Sequence, residues 1–475
     1  MRLSLRTLAQ VPETARPALD PRSRRPGVVH LGIGAFHRAH QAVYTEDSGD
    51  WAICGVTQRS ASVLDQLAPQ DGLYGLLVRD DGRREARVIG AVREVLHAGA
   101  DPAAVVARIA DAPVVTLTVT EKGYRHDPAT GRLRLDDPEI VADLSGRPPR
   151  TVVGQLVGGL AARRAGTGAP ATVVCCDNLP ANGTTVRGLV GEYAARLDET
   201  LAGWIAANVA FPCTMVDRIV PAATDTDRAD AAALLGVDDA GTVVAEPFTQ
   251  WVIEDAFAGP RPDWEKAGAT LAPDVAPYET VKLRMLNGSH STLAYLGGLA
   301  GYVTIAEAVA DPVLAELVGR LMAEDVVPTL TAPAGLDLDG YGASVRARFA
   351  NPALRHRTAQ VAMDGTQKLP QRLLGTVRDR YAAGATPRWA VLAVAAWMRY
   401  VATQSVDDPL AELLAERVNG ASTAPRVVGA LLGVRQVFGD DLPAHDGFRS
   451  LLTEYLDALT RQATLEAVRA ALADR

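Results

Sequence analysis

The stretch VVHLGIGAFHRAHQAVY, residues 28–44, constrains the fold more than any other part of the chain. Residues 28–31 read as a short buried strand. Gly32 and Gly34 follow, and a helix runs on through Ala39 and Tyr44. A strand that turns on glycines into a helix N-terminus is the opening of a dinucleotide-binding α/β unit. The glycines let backbone approach a pyrophosphate. The N–H groups of the first turn, over Gly32, Ile33, Gly34, Ala35 and Phe36, point at it. His37 stands where a third glycine would complete the G-x-G-x-x-G pattern. An ordinary tight turn between strand and helix is the alternative, and the turn's place at the first strand of an α/β pattern favours the nucleotide.

Strand and helix patterns alternate from there. Residues 51–56 form the next strand. An acid at its end would take the ribose 2′-OH and select NAD. This chain has Thr57, Gln58, Arg59 and Ser60 instead. Arg59 can accommodate a 2′-phosphate, so NAD and NADP both stay open. Residues 73–78 and 87–92, on either side of Asp80-Asp81-Gly82, read as an inserted β-hairpin. A helix over 102–110 precedes 113–124, a β-branched strand running into a turn, with Thr118, Thr120 and Glu121 at the strand's carboxyl end. Open α/β sheets bind ligands at that edge. After a helix over 151–166, residues 171–183 make another buried strand, ending in Asp177 and Asn178. Asn182 reads as the cap of a helix to about Leu197. Asn178, at a strand's carboxyl edge, is placed to donate to a reacting oxygen, although Asp-Asn is also common turn chemistry. Asp217 and Arg218 are an adjacent opposite-charge pair in 211–221. A last strand covers 243–247, and the alternation ends near Thr270.

From Pro277 almost everything reads helical: 279–299, 312–323, 341–349, 370–381, 387–402, 409–418, 426–438 and two more, with proline at repeated helix starts. The expected architecture is therefore α/β plus all-α. A Rossmann-type domain with a β insertion spans 1–275, and a mostly helical domain spans 276–475.

The helix that opens the second half carries Lys282, Asn287 and His290 within nine positions. Pro277 and Glu279 suit a helix N-terminus. Val281, Met285, Leu286 and Leu293 recur at helical spacing. Asn287 and His290, three apart, are neighbours on one face, with Lys282 on the adjoining flank. Each residue alone is ordinarily a solvated, capping or core group; three in one apolar helix point to a site. A partly desolvated lysine loses proton affinity and can act as a base near neutral pH. An asparagine NH₂ can donate to a developing alkoxide. A histidine can orient the substrate hydroxyl or the lysine. That set fits removal of a proton from an alcohol while hydride leaves its carbon, with no metal. The start of the helical half is where a cleft facing the glycine turn is expected.

Bulk properties narrow the partners. The formal charge of −8 and pI near 5.6 argue against nucleic acid or anionic membrane. Four cysteines, Cys54, Cys175, Cys176 and Cys213, form no CxxC pair, as in a reducing, cytoplasmic protein. No apolar run reaches the ~18 residues of a membrane span, and residues 1–27 lack a signal peptide's apolar core. One local basic cluster, 351–372, gathers Arg355, His356, Arg357, Gln360, Lys368 and Arg372. It reads as a solvated face or as a loop presenting cations to an anion.

GIGAFHRAHQA (32–42), TLTVTEKGY (116–124), CDNLPANG (176–183), FPCTMVDRIVPAAT (211–224), EPFTQWVIED (246–255) and KLRMLNGSHS (282–291) together resemble the polyol-specific long-chain dehydrogenase family. That family includes mannitol 2-dehydrogenase and fructuronate reductase, and the resemblance covers nearly the whole chain. It implies a Rossmann-type domain, a helical C-terminal domain and zinc-independent hydride transfer with NAD(H) or NADP(H). By motif, Lys282 resembles the catalytic acid/base. Asn178 and Asn287 resemble the amides that hold the alkoxide-like oxygen, and His290 the substrate-orienting histidine. Glu279 matches a glutamate associated with proton exit. Val216 and Asp217 lie where the family shapes its substrate pocket. The chain departs from the mannitol dehydrogenases in lacking acids after the second strand.

Within the family, KLRMLNGSHS, FPCTMVDRIVPAAT, LRHRTAQVAMDGTQKLPQRLL and AAWMRY are similar to fructuronate reductase. The mannitol enzymes typically have an uncharged residue where Arg284 stands and an arginine where Gln360 stands, which makes both candidate substrate contacts. A uronate adds a carboxylate that Lys368 and Arg372 could bind. Arg284, two residues from Lys282, points about 200° round the helix. The resemblance thus implies reversible reduction of D-fructuronate to D-mannonate. GVTQRS (55–60) is similar to the mannitol enzymes and keeps pentitol or hexitol oxidation as the alternative. A nucleotide-binding redox sensor would need the glycine turn but not Lys282. The sequence leaves monomer and dimer equally open.

Overall fold

The computed structural model describes residues 1–474 apart from 81, 128, 129 and 334. Asp81, in the expected hairpin turn, lies outside the described residues, as does Arg475. The chain separates into two compact units, Met1–Ala276 and Pro277–Arg475.

The first unit is built on β1 (Arg25–Leu31), β2 (Trp51–Thr57), β3 (Tyr74–Asp80), β4 (Arg83–Ile89), β5 (Val92–His97), β6 (Val114–Leu117), β7 (Ala171–Cys175), β8 (Val209–Ala210), β9 (Thr214–Asp217), β10 (Val243–Ala245), β11 (Gln250–Glu254) and β12 (Thr270–Ala272). Six strands form a parallel sheet in the order β5-β2-β1-β6-β7-β8. Counted along the sheet, that is 3-2-1-4-5-6, the dinucleotide-binding order, and its direction reverses between β1 and β6. Every residue of β2 and β7 is buried, as parallel strands covered on both faces require. Among the covering helices, Pro102–Asp111 is capped by Asp101, which accepts from the Ala104 amide at 2.9 Å. Thr151 accepts from the Gly154 amide at 3.0 Å at the start of Val152–Ala165. Those two helices cross closely: a Cβ on Gly159 would meet Ile109 Cγ2 at 2.3 Å.

Three expectations for this unit need correction. The second hairpin strand is β4, four residues earlier than expected, because Gly90 and Ala91 end it and Val92 opens β5 of the main sheet. The strand over 243–247 is not the last: β11 and β12 follow, and β9-β11-β12 form a separate three-stranded sheet. Asn182 is not a cap; Ala181 stands at that position. The Asn182 amide donates to the carbonyls of Asp177 and Thr214, both at 3.0 Å, and its oxygen accepts from the Thr214 amide. It clasps the end of β7 to β9.

The second unit packs helices around Arg388–Thr403, which is buried nearly all round from Trp389 to Met398, the signature of a core helix. The expected continuous helix over 279–299 is not continuous. Ala276–Val281 and Gly288–Ala300 are α-helical, and Lys282–Asn287 between them is a π turn. Further π turns occur at Leu321–Val326 and Pro370–Leu374. The first and last of these lie against each other: a Cβ on Gly288 would meet the Arg372 carbonyl oxygen at 2.7 Å. The helix expected over 426–438 breaks at Gly433 and Val434 into Ala424–Leu432 and Arg435–Phe438. Among the described residues, no helix is long and apolar enough to cross a membrane.

Candidate active site

The glycine turn sits at the switch point of the sheet. Gly32 has φ +98°, and a Cβ there would fall 2.1 Å from the Thr118 carbonyl oxygen. Both facts demand glycine. At Gly34 a Cβ would meet nothing nearer than the Gly32 oxygen at 3.8 Å, so this face of the turn is open for a ligand to approach. The third glycine position is filled by the buried His37, whose ring stacks on that of His30 in β1, centroids 3.3 Å apart. His30 is hydrogen-bonded to the hydroxyls of Thr116 at 2.7 Å and Thr118 at 2.8 Å. Burial pushes His30 down to about 3 and His37 well below the usual histidine range. Two neutral rings can stack where two cations could not.

A cavity of about 510 Å³ opens over this turn, lined by Gly32, Ile33, Gly34 and Arg59 on one side and Thr118 and Thr120 on the other. Ala35 and Phe36, on the helix Ala35–Ala39, and Glu121, in the turn Glu121–Tyr124, lie outside the lining. The Phe36 ring stacks instead on His40, centroids 5.1 Å apart. Thr118 spends its hydroxyl on the Gly32 carbonyl at 2.8 Å, tying β6 to the turn. Thr120 has φ +69° and ψ +157°, a region that costs a non-glycine residue about 1–3 kcal/mol.

Asp177 holds that strain in place. Its carboxylate accepts from the amides of Val119 at 2.9 Å and Thr120 at 3.2 Å, and from the Tyr124 hydroxyl at 2.6 Å. Asn178, the expected donor, stands exposed beside it. Sequence reasoning named Asp177 only as a turn residue; its signal was an acid closing a buried strand. Asp177→Asn removes one of the two acceptor oxygens and the charge. Hydrogen bonds to charged groups contribute about 1.5–3 kcal/mol, so the variant's dissociation constant for nucleotide should rise about tenfold. Calorimetry on the purified variant checks this. An unchanged constant would separate the loop from the ligand.

In the second unit Lys282 is 5% exposed and begins the π turn. Asn287 ends it. At α-helical spacing these two would diverge by about 140°; i→i+5 bonding adds about one residue to the turn and brings positions five apart close to register. The π turn therefore draws Asn287 towards the face of Lys282, nearer than the adjoining flank that α-helical spacing gives. His290 stacks on Phe349 and meets His356 edge-on, both with centroids 4.8 Å apart. Among the described residues, the buried Asn287 Oδ1 and His290 Nε2 find no hydrogen-bond partner. Such orphans are rare and mark places where something else binds. Burial, then His356, Arg372, Arg348 and Lys368, hold His290 well below the usual range, so it is a neutral imidazole. Burial and Lys368 lower His356 to about 4. Arg348 and Phe349 belong to this cluster and were not anticipated; they lie on Leu338–Phe349, which reads as an ordinary amphipathic helix.

The expected substrate contacts divide. Arg372 donates to the Ser291 hydroxyl at 3.0 Å, next to His290. Lys368 donates to the carbonyls of Val361 and Met363, so its ammonium is partly built into the loop. Gln360 is exposed on Thr358–Ala362. Arg284 pairs with Asp379 at 2.5 Å and donates to the Thr329 hydroxyl at 2.8 Å, and its place about 200° round the helix from Lys282 turns it towards those side chains. Asp217 is buried in β9 of the first unit, opposite Gln250 of β11. Glu279 is half-buried one turn before Lys282. Among the described residues, no three His, Cys, Asp or Glu side chains come together as a metal site.

Comparison with known proteins matches two family models, the mannitol dehydrogenase Rossmann domain over residues 26–266 and the mannitol dehydrogenase C-terminal domain over 274–460. D-mannonate oxidoreductase of Escherichia coli is 44% identical, with 96% of this chain and 98% of that protein covered. Mannitol 2-dehydrogenase of Pyrenophora tritici-repentis is 38% identical, with 98% and 85% covered. The solved Pseudomonas fluorescens mannitol 2-dehydrogenase, a ternary complex with NAD and D-mannitol, superposes with a TM-score of 0.91 at 36% identity over the whole of both chains.

Proposed function

The chain belongs to the mannitol dehydrogenase family, an oxidoreductase family acting on CH–OH groups, and from that membership we propose that it reduces the keto group of D-fructuronate to D-mannonate, reversibly, with NAD(H) or NADP(H). The observation that carries the substrate is the set of cations around His290. Arg348, Lys368 and Arg372 all act on that neutral ring. A sugar acid offers a carboxylate to such a cluster, a charge-assisted contact that a neutral polyol does not make. The likeness to D-mannonate oxidoreductase supports the same choice. The likeness to a mannitol 2-dehydrogenase bound to D-mannitol supports the second reading, interconversion of D-mannitol and D-fructose.

The residues at the sheet's switch point fit a nicotinamide dinucleotide. Gly34 leaves the approach open, and Gly32 with the Thr118–Thr120 segment forms the cradle. The bound dinucleotide supplies or takes the hydride. Lys282 does the proton work: in reduction it delivers a proton to the oxygen as the carbonyl carbon gains hydride, and in oxidation it takes that proton back. The Asn287 amide donates to the same oxygen while charge develops on it, and Asn178 is assigned a second donation of that kind. Neutral His290 can both donate to and accept from a substrate hydroxyl. Glu279 is assigned the exchange of the proton with solvent.

The test is NADH and NADPH oxidation with D-fructuronate and D-fructose side by side. A charge-assisted contact of about 1.5–3 kcal/mol predicts a kcat/KM about 10- to 100-fold higher for fructuronate, and Arg372→Ala should narrow that ratio. Preference for fructose would replace this reading with the polyol one.

A further inference from the structure

We propose that His356 is a second substrate-reading histidine, bonding a hydroxyl of the sugar chain next to the one that His290 orients, an inference that rests on the reading of their cluster as the sugar-acid site.

The backbone fixes His356 on both sides. Its neighbours Arg355 and Arg357 are exposed, whereas His356 is half-buried between them. Arg355 has φ +48° and ψ +34°, a left-handed conformation that costs an L-residue about 1–2 kcal/mol. It leads the chain out of the short turn Pro352–Leu354, where Asn351 accepts from the Ala353 amide at 3.0 Å. Beyond His356, Arg357 forms an antiparallel bridge with Thr304. The Ile305 amide donates to the His356 carbonyl at 2.9 Å, and the Thr358 amide to the Val303 carbonyl at 3.0 Å. Strained residues that their surroundings hold in this way cluster at ligand sites. The ring so held stands edge-on to His290, which stacks in turn on Phe349.

The chemistry of the two rings points to hydroxyls. Among the described residues, the buried Nδ1 of His356 has no hydrogen-bond partner, and neither has Nε2 of His290. A buried polar atom without a partner is rare, and here two stand on neighbouring rings. The cations around them, Arg348, Lys368 and Arg372, have only N–H groups to offer. A carboxylate only accepts and suits those cations. A hydroxyl both donates and accepts, so it can bond a neutral imidazole whichever tautomer that ring adopts. Burial, then Lys368, lower His356 to about 4, which keeps it neutral at neutral pH. A keto sugar acid carries both kinds of group, and the site divides them: cations for the carboxylate, two histidines for the hydroxyls.

Two substitutions separate contact from packing. His356→Phe keeps a ring for the edge-on contact and removes Nδ1. His356→Asn removes the ring and returns a polar atom close to where Nδ1 stood. His356→Phe should raise KM for D-fructuronate about tenfold, the effect of leaving one hydroxyl unpaired, with kcat and the NADH dissociation constant within about twofold of wild type. His356→Asn should recover most of that loss. A wild-type KM in His356→Phe, or a weaker His356→Asn than His356→Phe, overturns the contact, since packing alone predicts that order. D-fructose is assayed beside D-fructuronate. Wild-type preference for fructose overturns the sugar-acid reading, and the order of the two variants on fructose then decides His356 by itself. If neither ketose is turned over, both fall.

Discussion

Lys282→Ala should lower kcat by about 10²- to 10⁴-fold, the usual contribution of a positioned acid/base group, while the nucleotide dissociation constant stays within about twofold of wild type. The two expectations separate because the cavity proposed for the nucleotide is lined by residues of the first unit, and Lys282 belongs to the second. Lys282 is buried at the start of a π turn, the class of helical defect that recurs at functional sites. Alanine leaves that backbone free to form and removes only the ammonium and its stem. Lys282→Met serves as the control for packing, since it fills most of the same volume without a proton to move. Both variants should lose turnover alike. If the alanine variant turned over near the wild-type rate, Lys282 would not be the proton donor, and the constellation with Asn287 and His290 would need another role.

What was legible in the sequence follows from what each signal encodes. The doubly wound sheet was readable because its strands are continuous apolar runs and its first turn needs glycine. Gly32 at φ +98° can be inferred from its identity, but Thr120 at φ +69° cannot, because threonine gives no sign of a left-handed backbone. Its support, Asp177, lies in a different βα unit. The trio of Lys282, Asn287 and His290 was legible as residue types and not as geometry. Val281, Met285, Leu286 and Leu293 satisfy α-helical spacing, and one extra residue in a single turn barely disturbs that pattern. The π turn ends where Gly288 packs against the Arg372 carbonyl, a contact across 84 positions. The fate of Arg284 is non-local for the same reason, since its partner Asp379 is 95 residues away. The stack of His30 on His37 joins a strand residue to a helix residue, and no periodicity links them.

Gly32→Ala and Gly34→Ala should fail in different ways, although they are two residues apart. At Gly32 the new methyl group meets the Thr118 carbonyl oxygen at 2.1 Å and its carbon at 2.7 Å. Both are backbone atoms, so no side chain can swing aside. The positive φ adds about 1–2 kcal/mol for an L-residue. Relief requires β1 and β6 to part at the switch point, where the Thr118 hydroxyl also bonds the Gly32 carbonyl. Overpacking of this kind costs about 1–3 kcal/mol more. The Gly32→Ala variant should therefore melt well below wild type and bind NADH at least about 100-fold more weakly. At Gly34 the backbone is extended, φ −81° and ψ −173°, and the methyl meets no protein atom inside 3.8 Å. That variant should keep its melting temperature, because the new group points only into space a ligand would use. Its NADH affinity should still fall, since the pyrophosphate can no longer approach the turn. Thermal melts paired with NADH titrations distinguish the cases. Wild-type affinity in Gly34→Ala would mean that the dinucleotide does not cross this turn, and the assignment of the first unit's cavity would have to be withdrawn.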